Sequence, residues 1–97
     1  MDKPAMIQKV LYKIRITGQV QGVGFRWRAS TEARELGITG FIRNMSDGSV
    51  CIEAEGSKEQ LDYFVEWCKK GPGYSNVEAL DVVPAPPVNY SGFRIER

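Results

Sequence analysis

Nine residues constrain this chain more than any others: Gly18-Gln19-Val20-Gln21-Gly22-Val23-Gly24-Phe25-Arg26. They follow a stretch with strand periodicity and lead into one with helical periodicity, so the chain must pass from strand to helix through a glycine-spaced loop. Glycines at 18, 22 and 24 permit backbone conformations that turn successive amide groups inward. The helix N-terminus that follows adds partial positive charge, and Arg26 sets a guanidinium fork in its first turn. Together these make a site for a phosphate-like anion.

Before the loop, Val10, Tyr12, Ile14 and Ile16 alternate with Lys13, Arg15 and Thr17, the pattern of a strand covered on one face. After it, Phe25, Ala29, Ala33 and Leu36 recur at helical spacing, Arg28 and Glu32 stand one turn apart outside, and Gly37 ends a helix over about residues 25–36. Ile38 to Asn44 and Ser49 to Glu55 read as two strands joined by the tight turn Met45-Ser46-Asp47-Gly48. Ser57-Lys58-Glu59-Gln60 fits a capping box; Leu61, Phe64, Val65 and Cys68 supply the apolar stripe behind it, and Lys69-Lys70-Gly71-Pro72-Gly73 closes that helix. Asn76 to Val83 is a further strand with Leu80 and Val82 inward. Pro84-Ala85-Pro86-Pro87 is expected to interrupt the sheet, and Phe93 and Ile95 mark a short last strand.

The order βαββαβ predicts an α+β, ferredoxin-like split βαβ sandwich: an antiparallel sheet ordered 4-1-3-2 with two helices on one face and a short C-terminal strand. Ninety-seven residues suit one domain over 1–97. In that arrangement the first two strands run the same way with the third between them. Two strand spacings of ~4.8 Å then put their ends roughly 10 Å apart, with Asn44 beside the loop and turned, by alternation with Ile42, toward the helices.

Thirteen Lys and Arg against 12 Asp and Glu give a net charge of +1, so no broad basic field draws the chain to nucleic acid or anionic membrane. Anion recognition must be local. The opening MDKPAMIQKVLYKIRI is broken by polar and charged residues, and no run approaches a membrane span, so a cytoplasmic, monomeric protein is expected. Histidine is absent, and with it the commonest general base and zinc ligand. Cys51 and Cys68 are predicted on opposite sides of the sheet, too separated for a disulfide, and read as unreactive thiols.

A phosphoryl group seated on the amides of Gln21, Gly22, Val23, Gly24, Phe25 and Arg26, with the Arg26 fork on its oxygens, would meet preorganised donors. The frame from Val20 to Arg26 resembles the anion loops of cysteine-dependent phosphatases, but valine stands where a nucleophilic thiol would be. Ser30 and Thr31 lie a turn further along the helix and read as ordinary surface positions, so water must attack directly. Without histidine, a nearby acid or metal ligands, an alkoxide leaving group would go unprotonated. An acyl phosphate releases a carboxylate, which is stable near neutral pH without a proton. A loose transition state asks for little deprotonation of the water, so the neutral amide of Asn44 suffices to orient it. Neither metal nor cofactor is expected.

At this point the chain resembles the acylphosphatase family in specific residues: Gly18 through Arg26, then Gly40-Phe41-Ile42-Arg43-Asn44 and Asp47-Gly48, with similar length, element order and closing Ser91-Gly92-Phe93. The resemblance implies a metal-free enzyme that splits small-molecule acyl phosphates into carboxylate and inorganic phosphate, with Arg26 binding phosphate and Asn44 positioning water. Phe41 stands where the family often has tryptophan, and Met45 where a small polar residue often follows the asparagine. Neither change touches the two implied catalytic positions.

Two other readings stand beside this one. RNA-recognition domains share the element order, but Ser49 to Glu55 offers no aromatic to stack a base and puts Glu53 and Glu55 on the open sheet. The chain is also compatible with a non-catalytic module that binds acyl or carbamoyl phosphate for a larger enzyme; as a chain of 97 residues without zinc-finger cysteines or an attached domain, it is expected to be the independent hydrolase. Asn44 alone is open to a role as a turn-entry residue. Trp27 and Arg28 are read as the exposed flank of the first helix, with lining of the substrate mouth as the alternative. Tyr63 and Trp67 are read as packing residues.

Overall fold

The computed structural model describes residues 8–97; residues 1–7, part of the opening segment read above as free of targeting or membrane signals, lie outside them. The chain runs β1 (Val10–Gln19), α1 (Phe25–Glu35), β2 (Thr39–Asn44), β3 (Val50–Gly56), α2 (Lys58–Lys69), β4 (Asn76–Ala85) and β5 (Phe93–Glu96). One sheet holds all five strands in the order β4-β1-β3-β2-β5. The first four pair antiparallel, as the element order requires, and β5 joins parallel to β2, so the complete sheet is mixed. Among the described residues no helix is long and apolar enough to cross a membrane.

Two cross-strand rows set the geometry. Ile14, Ile52 and Ile42 align across β1, β3 and β2, and two residues on Ile16, Val50 and Asn44 align in the same way. The isoleucines and Val50 are buried beneath Phe25, Ala29 and Ala33 of α1 and Leu61, Phe64 and Cys68 of α2. Each large apolar side chain buried here contributes about 1.5–3 kcal/mol, and a one-residue slip would turn the whole row to water. The register is therefore strongly specified.

The second helix starts as its sequence predicts: Ser57 Oγ accepts the Gln60 amide at 3.1 Å and Gln60 Oε1 accepts the Ser57 amide at 2.8 Å. Gln60 Nε2 also donates to the Leu36 carbonyl at 2.7 Å, tying the start of α2 to the end of α1. The cysteines lie on opposite sides of the sheet, Cys68 buried in α2 and Cys51 half-buried on the open face. Burial raises both thiols above the ordinary cysteine range.

Three expectations change. The sheet continues through Pro84, which pairs with Tyr12, because β4 is an edge strand where a missing amide proton costs no ladder bond. Ser30 is fully buried rather than a surface position, its hydroxyl satisfied by donating to the Trp27 carbonyl at 2.9 Å. Tyr63 is 57% exposed and packs little.

On the face away from the helices, register partners Leu11 and Glu55 are each 1% exposed. The Glu55 carboxylate accepts the backbone amides of Val88, Asn89 and Tyr90, and so fixes the crossover that carries the chain to β5. Burial acts to raise this carboxyl, but the three amides outweigh it and hold it below the ordinary glutamate value of 4.5. A depressed folded value means stability that is present above the unfolded value and lost as pH falls through the folded one. Glu55→Gln keeps the shape but loses the charge, and should cost about 2 kcal/mol at pH 7, the scale of a charged hydrogen-bond set. In urea titrations the gap between variant and wild type should narrow below pH 4.5; a gap independent of pH would contradict this account.

Candidate active site

The loop between β1 and α1 is pinned at both ends. Val20 and Phe25, each 1% exposed, are buried in the core and leave residues 21–24 suspended over the sheet edge. Gly22 and Gly24 have φ of 76° and 81°, and a Cβ at either would meet nothing within 4 Å. It is the left-handed backbone, not lack of room, that requires glycine there, at about 1–2 kcal/mol for any other residue.

Gly24 is also the N-cap of α1, and it offers no side-chain acceptor to the first amides; no acidic residue lies in that first turn either. The contrast with α2, capped by Ser57 and carrying Glu59 in its first turn, is direct. The first amides of α1 keep their partial positive charge without a competing side chain.

The loop and the first turn of α1 border a pocket of about 220 Å³ lined by Gly22, Gly24, Phe25 and Arg26, by Asn44 at the end of β2, and by Ile95 of β5. The structure thus brings together residues that are far apart in sequence and were singled out for the site. Arg26 Nη1 donates to the Glu96 carbonyl at 2.9 Å, which orients the fork; among the described residues its other donors have no partner. Asn44 Oδ1 is buried, with no donor bonded to it among the described residues. Leaving a buried acceptor unsatisfied costs about 1–3 kcal/mol, so its placement here asks for a reason.

Gln21 and Val23 do not line this pocket. The Gln21 side chain turns away, its Nε2 donating to the carbonyls of Met45 and Ser49, both at 2.8 Å. It therefore latches the loop to the β2–β3 turn just beyond Asn44. That turn is closed by the Met45 amide on the Ser49 carbonyl at 2.8 Å, so Met45 serves here through its backbone. The Ser49 hydroxyl and amide, with Arg15, bond Asp47 and hold its carboxyl well below the usual carboxylate range. Val23 packs against the core.

Trp27 and Arg28 are both exposed, as the flank reading expects; Trp27 also lines the pocket, and both border a larger groove beside it. Trp67 packs against the core, as expected. The Gln21 latch, Ile95 and the Glu96 carbonyl had escaped the sequence reading. No residue type marks a backbone acceptor, and the position of β5 beside β2 depends on a crossover with no periodicity.

A sequence profile described as Acylphosphatase matches residues 12–95. The chain belongs to the acylphosphatase family. An acylphosphatase of Thermococcus kodakarensis is 39% identical over 89 residues, 92% of this chain and 98% of that protein. The crystal structure of the Bacillus subtilis acylphosphatase superposes with a TM-score of 0.88 at 36% identity, covering 91% of this chain and 99% of that one. A full-length HypF in phosphate- and nucleotide-bound form superposes at 0.87 and 26% identity, over 98% of this chain but 13% of that protein. As a member of the acylphosphatase family, the chain is an acyl phosphate hydrolase.

The latch makes a prediction for an acylphosphatase loop. Gln21→Ala should leave the circular dichroism spectrum unchanged and speed hydrogen exchange at the Met45 and Gly48 amides, while kcat on benzoyl phosphate falls about tenfold as Asn44 loses its fixed distance from the loop. Unchanged exchange and unchanged kcat would show that the latch holds nothing.

Proposed function

We propose that the loop amides and Arg26 hold the phosphoryl group of an acyl phosphate and that Asn44 orients the water that attacks it. The observation that carries this reading is the placement of Asn44 at the pocket that Arg26 and the first helical turn also line. A water held by the Asn44 amide group at this pocket would face the phosphorus. Thr39 Oγ1, unsatisfied like Asn44 Oδ1, belongs to the opposite end of β2, away from the loop.

The chemistry follows from the donors. Negative charge on the three equatorial oxygens is met by loop amides and the free arm of Arg26, already in place before reaction. Oxygen of the water bonds to phosphorus as the bond to the carboxylate oxygen breaks; the carboxylate leaves unprotonated, and the water's protons pass to phosphate oxygens and solvent. Neither Cys51 nor Cys68 takes part: burial disfavours both thiolates, and neither lines the pocket. The hydroxyls of Ser30 and Thr31 both donate to the Trp27 carbonyl within their helix, at 2.9 and 3.0 Å, and neither residue lines the pocket, which disfavours both as nucleophiles.

A non-catalytic module that binds acyl or carbamoyl phosphate is favoured by one finding, the likeness to a short part of HypF. Against it stand relatives of this chain's own length named acylphosphatase, and the placement of Asn44 at the pocket, which a pure binding site would not need.

Arg26 and Asn44 should separate binding from chemistry. In Arg26→Gln both phosphate inhibition and turnover should nearly vanish, since a neutral amide cannot replace a charged fork. In Asn44→Ala phosphate should bind nearly as before while kcat falls roughly a hundredfold. Phosphate affinity by calorimetry, alongside kcat on benzoyl phosphate in folded variants, reads the difference. Equal losses in Asn44→Ala would make that residue a phosphate ligand, and wild-type binding without turnover would favour the module.

A further inference from the structure

Beside the loop pocket runs a groove of about 630 Å³, within the size range of small-molecule sites. Its walls are Trp27 and Thr31 of α1, Trp67 of α2 and Tyr74 of the loop leaving α2, with Arg28 and Glu32 adding one charge of each sign. Gly24 and Trp27 border both spaces, so the groove adjoins the loop pocket.

The groove is built rather than incidental. The Trp67 ring stacks on Phe64, with centroids 6.1 Å apart and planes within 7°, so one wall is fixed by the core. The Tyr74 loop is closed by the Ser75 amide and hydroxyl, which donate to the Pro72 carbonyl at 3.3 and 2.6 Å. Gly73 has φ of 67° and lies so close to Arg28 that a Cβ would come within 2.6 Å of Nε, so this loop is seated against α1. Yet Trp27 and Tyr74 remain 66% and 87% exposed. Both tryptophans of the chain are here, in a wall that forgoes much of the burial such rings usually gain.

Its position relative to Asn44 gives it a use. Helix α1 packs on β2 and β5 and α2 on β3 and β4, and the groove lies between the two helices without Asn44 in its lining. In-line displacement sends the leaving group opposite the attacking water. The groove is thus the adjoining space that the acyl group can take while the water takes the Asn44 side of the pocket.

We infer that the groove is the acyl-group subsite and that it favours uncharged aromatic acyl groups, an inference that rests on the phosphoryl site proposed above. Aromatic walls offer stacked and edge-on contacts to a planar ring, which an acetyl group is too small to reach. Arg28 and Glu32 form no ion pair among the described residues, and their opposite charges give the rim no net attraction for a second anion.

The test compares kcat/KM for benzoyl and acetyl phosphate in the wild type, in Tyr74→Ala and in Trp27→Ala, with inorganic phosphate as inhibitor. The benzoyl-to-acetyl ratio should fall about fivefold in each variant, the scale of one aromatic contact. In Tyr74→Ala the phosphate inhibition constant should move by less than about twofold, because that ring lies only in the groove. An unmoved ratio in both folded variants overturns the subsite and leaves the phosphoryl site standing; wild-type protein that turns over neither acyl phosphate and is not bound by phosphate overturns both. Tryptophan fluorescence gives a second reading without turnover. Phenylphosphonate should shift it more than methylphosphonate, which reaches Trp27 only from the loop pocket, and an equal response to the two would contradict the inference.

Discussion

The alignment of Ile16, Val50 and Asn44 across three strands is the constraint on which the rest of the site depends. It is enforced by burial of neighbours in the same and adjacent rows, since any slip by one residue would expose Ile42 and Ile52 and bring polar residues under the helices. Because β1 and β2 run in the same direction on either side of β3, this register also sets Asn44 level with the last core residue before the loop. The asparagine needs no stabilising contact of its own there. Its carbonyl oxygen can remain unsatisfied within the fold because hydrophobic packing elsewhere bears the cost.

The loop adds donors to that fixed edge, and its chemistry depends on what is withheld as much as on what is present. Helix α2 meets its first amides with a complete capping box, whereas α1 begins on a glycine with neither side-chain cap nor acid in the first turn. A glycine in place of a capping side chain costs only about a few tenths of a kcal/mol. In a site proposed to seat a phosphoryl group, those same uncommitted amides become the binding surface. Gln21 shows how the arrangement stays rigid without spending the loop's amides, because its side chain alone bridges to the hairpin carbonyls. Arg26 is steadied from a third direction by the Glu96 carbonyl, so the last strand, at the edge of the sheet, reaches the centre of the proposed mechanism.

Much of this was legible in the residues, for identifiable reasons. Alternation in β1 and β3 and the Ser57–Gln60 cap are local signals, and the βαββαβ order converts them into a strand order with few alternatives. From that order alone Asn44 falls beside the loop. What the residues did not disclose was each feature with a non-local cause. Pro84 looks like a breaker until β4 is known to be an edge, and Ser30 looks exposed until the packing of α1 is known. Glu55 reads as a solvent-facing acid on an open sheet, but three backbone amides thirty-odd residues away bury it. The parallel docking of β5 follows from that crossover, and with it the anchoring of Arg26.

The central claim is that a phosphoryl group rests on the loop amides and Arg26 while a separate water rests on Asn44. A crystal structure of the protein with bound phosphate, at a resolution that orders water, tests it most directly. The account predicts phosphate oxygens on the amides of residues 22–26 and on the free arm of Arg26, with one water between the Asn44 amide group and the phosphorus. Phosphate seated elsewhere, or bonded directly to the Asn44 side chain with no place left for water, would contradict it.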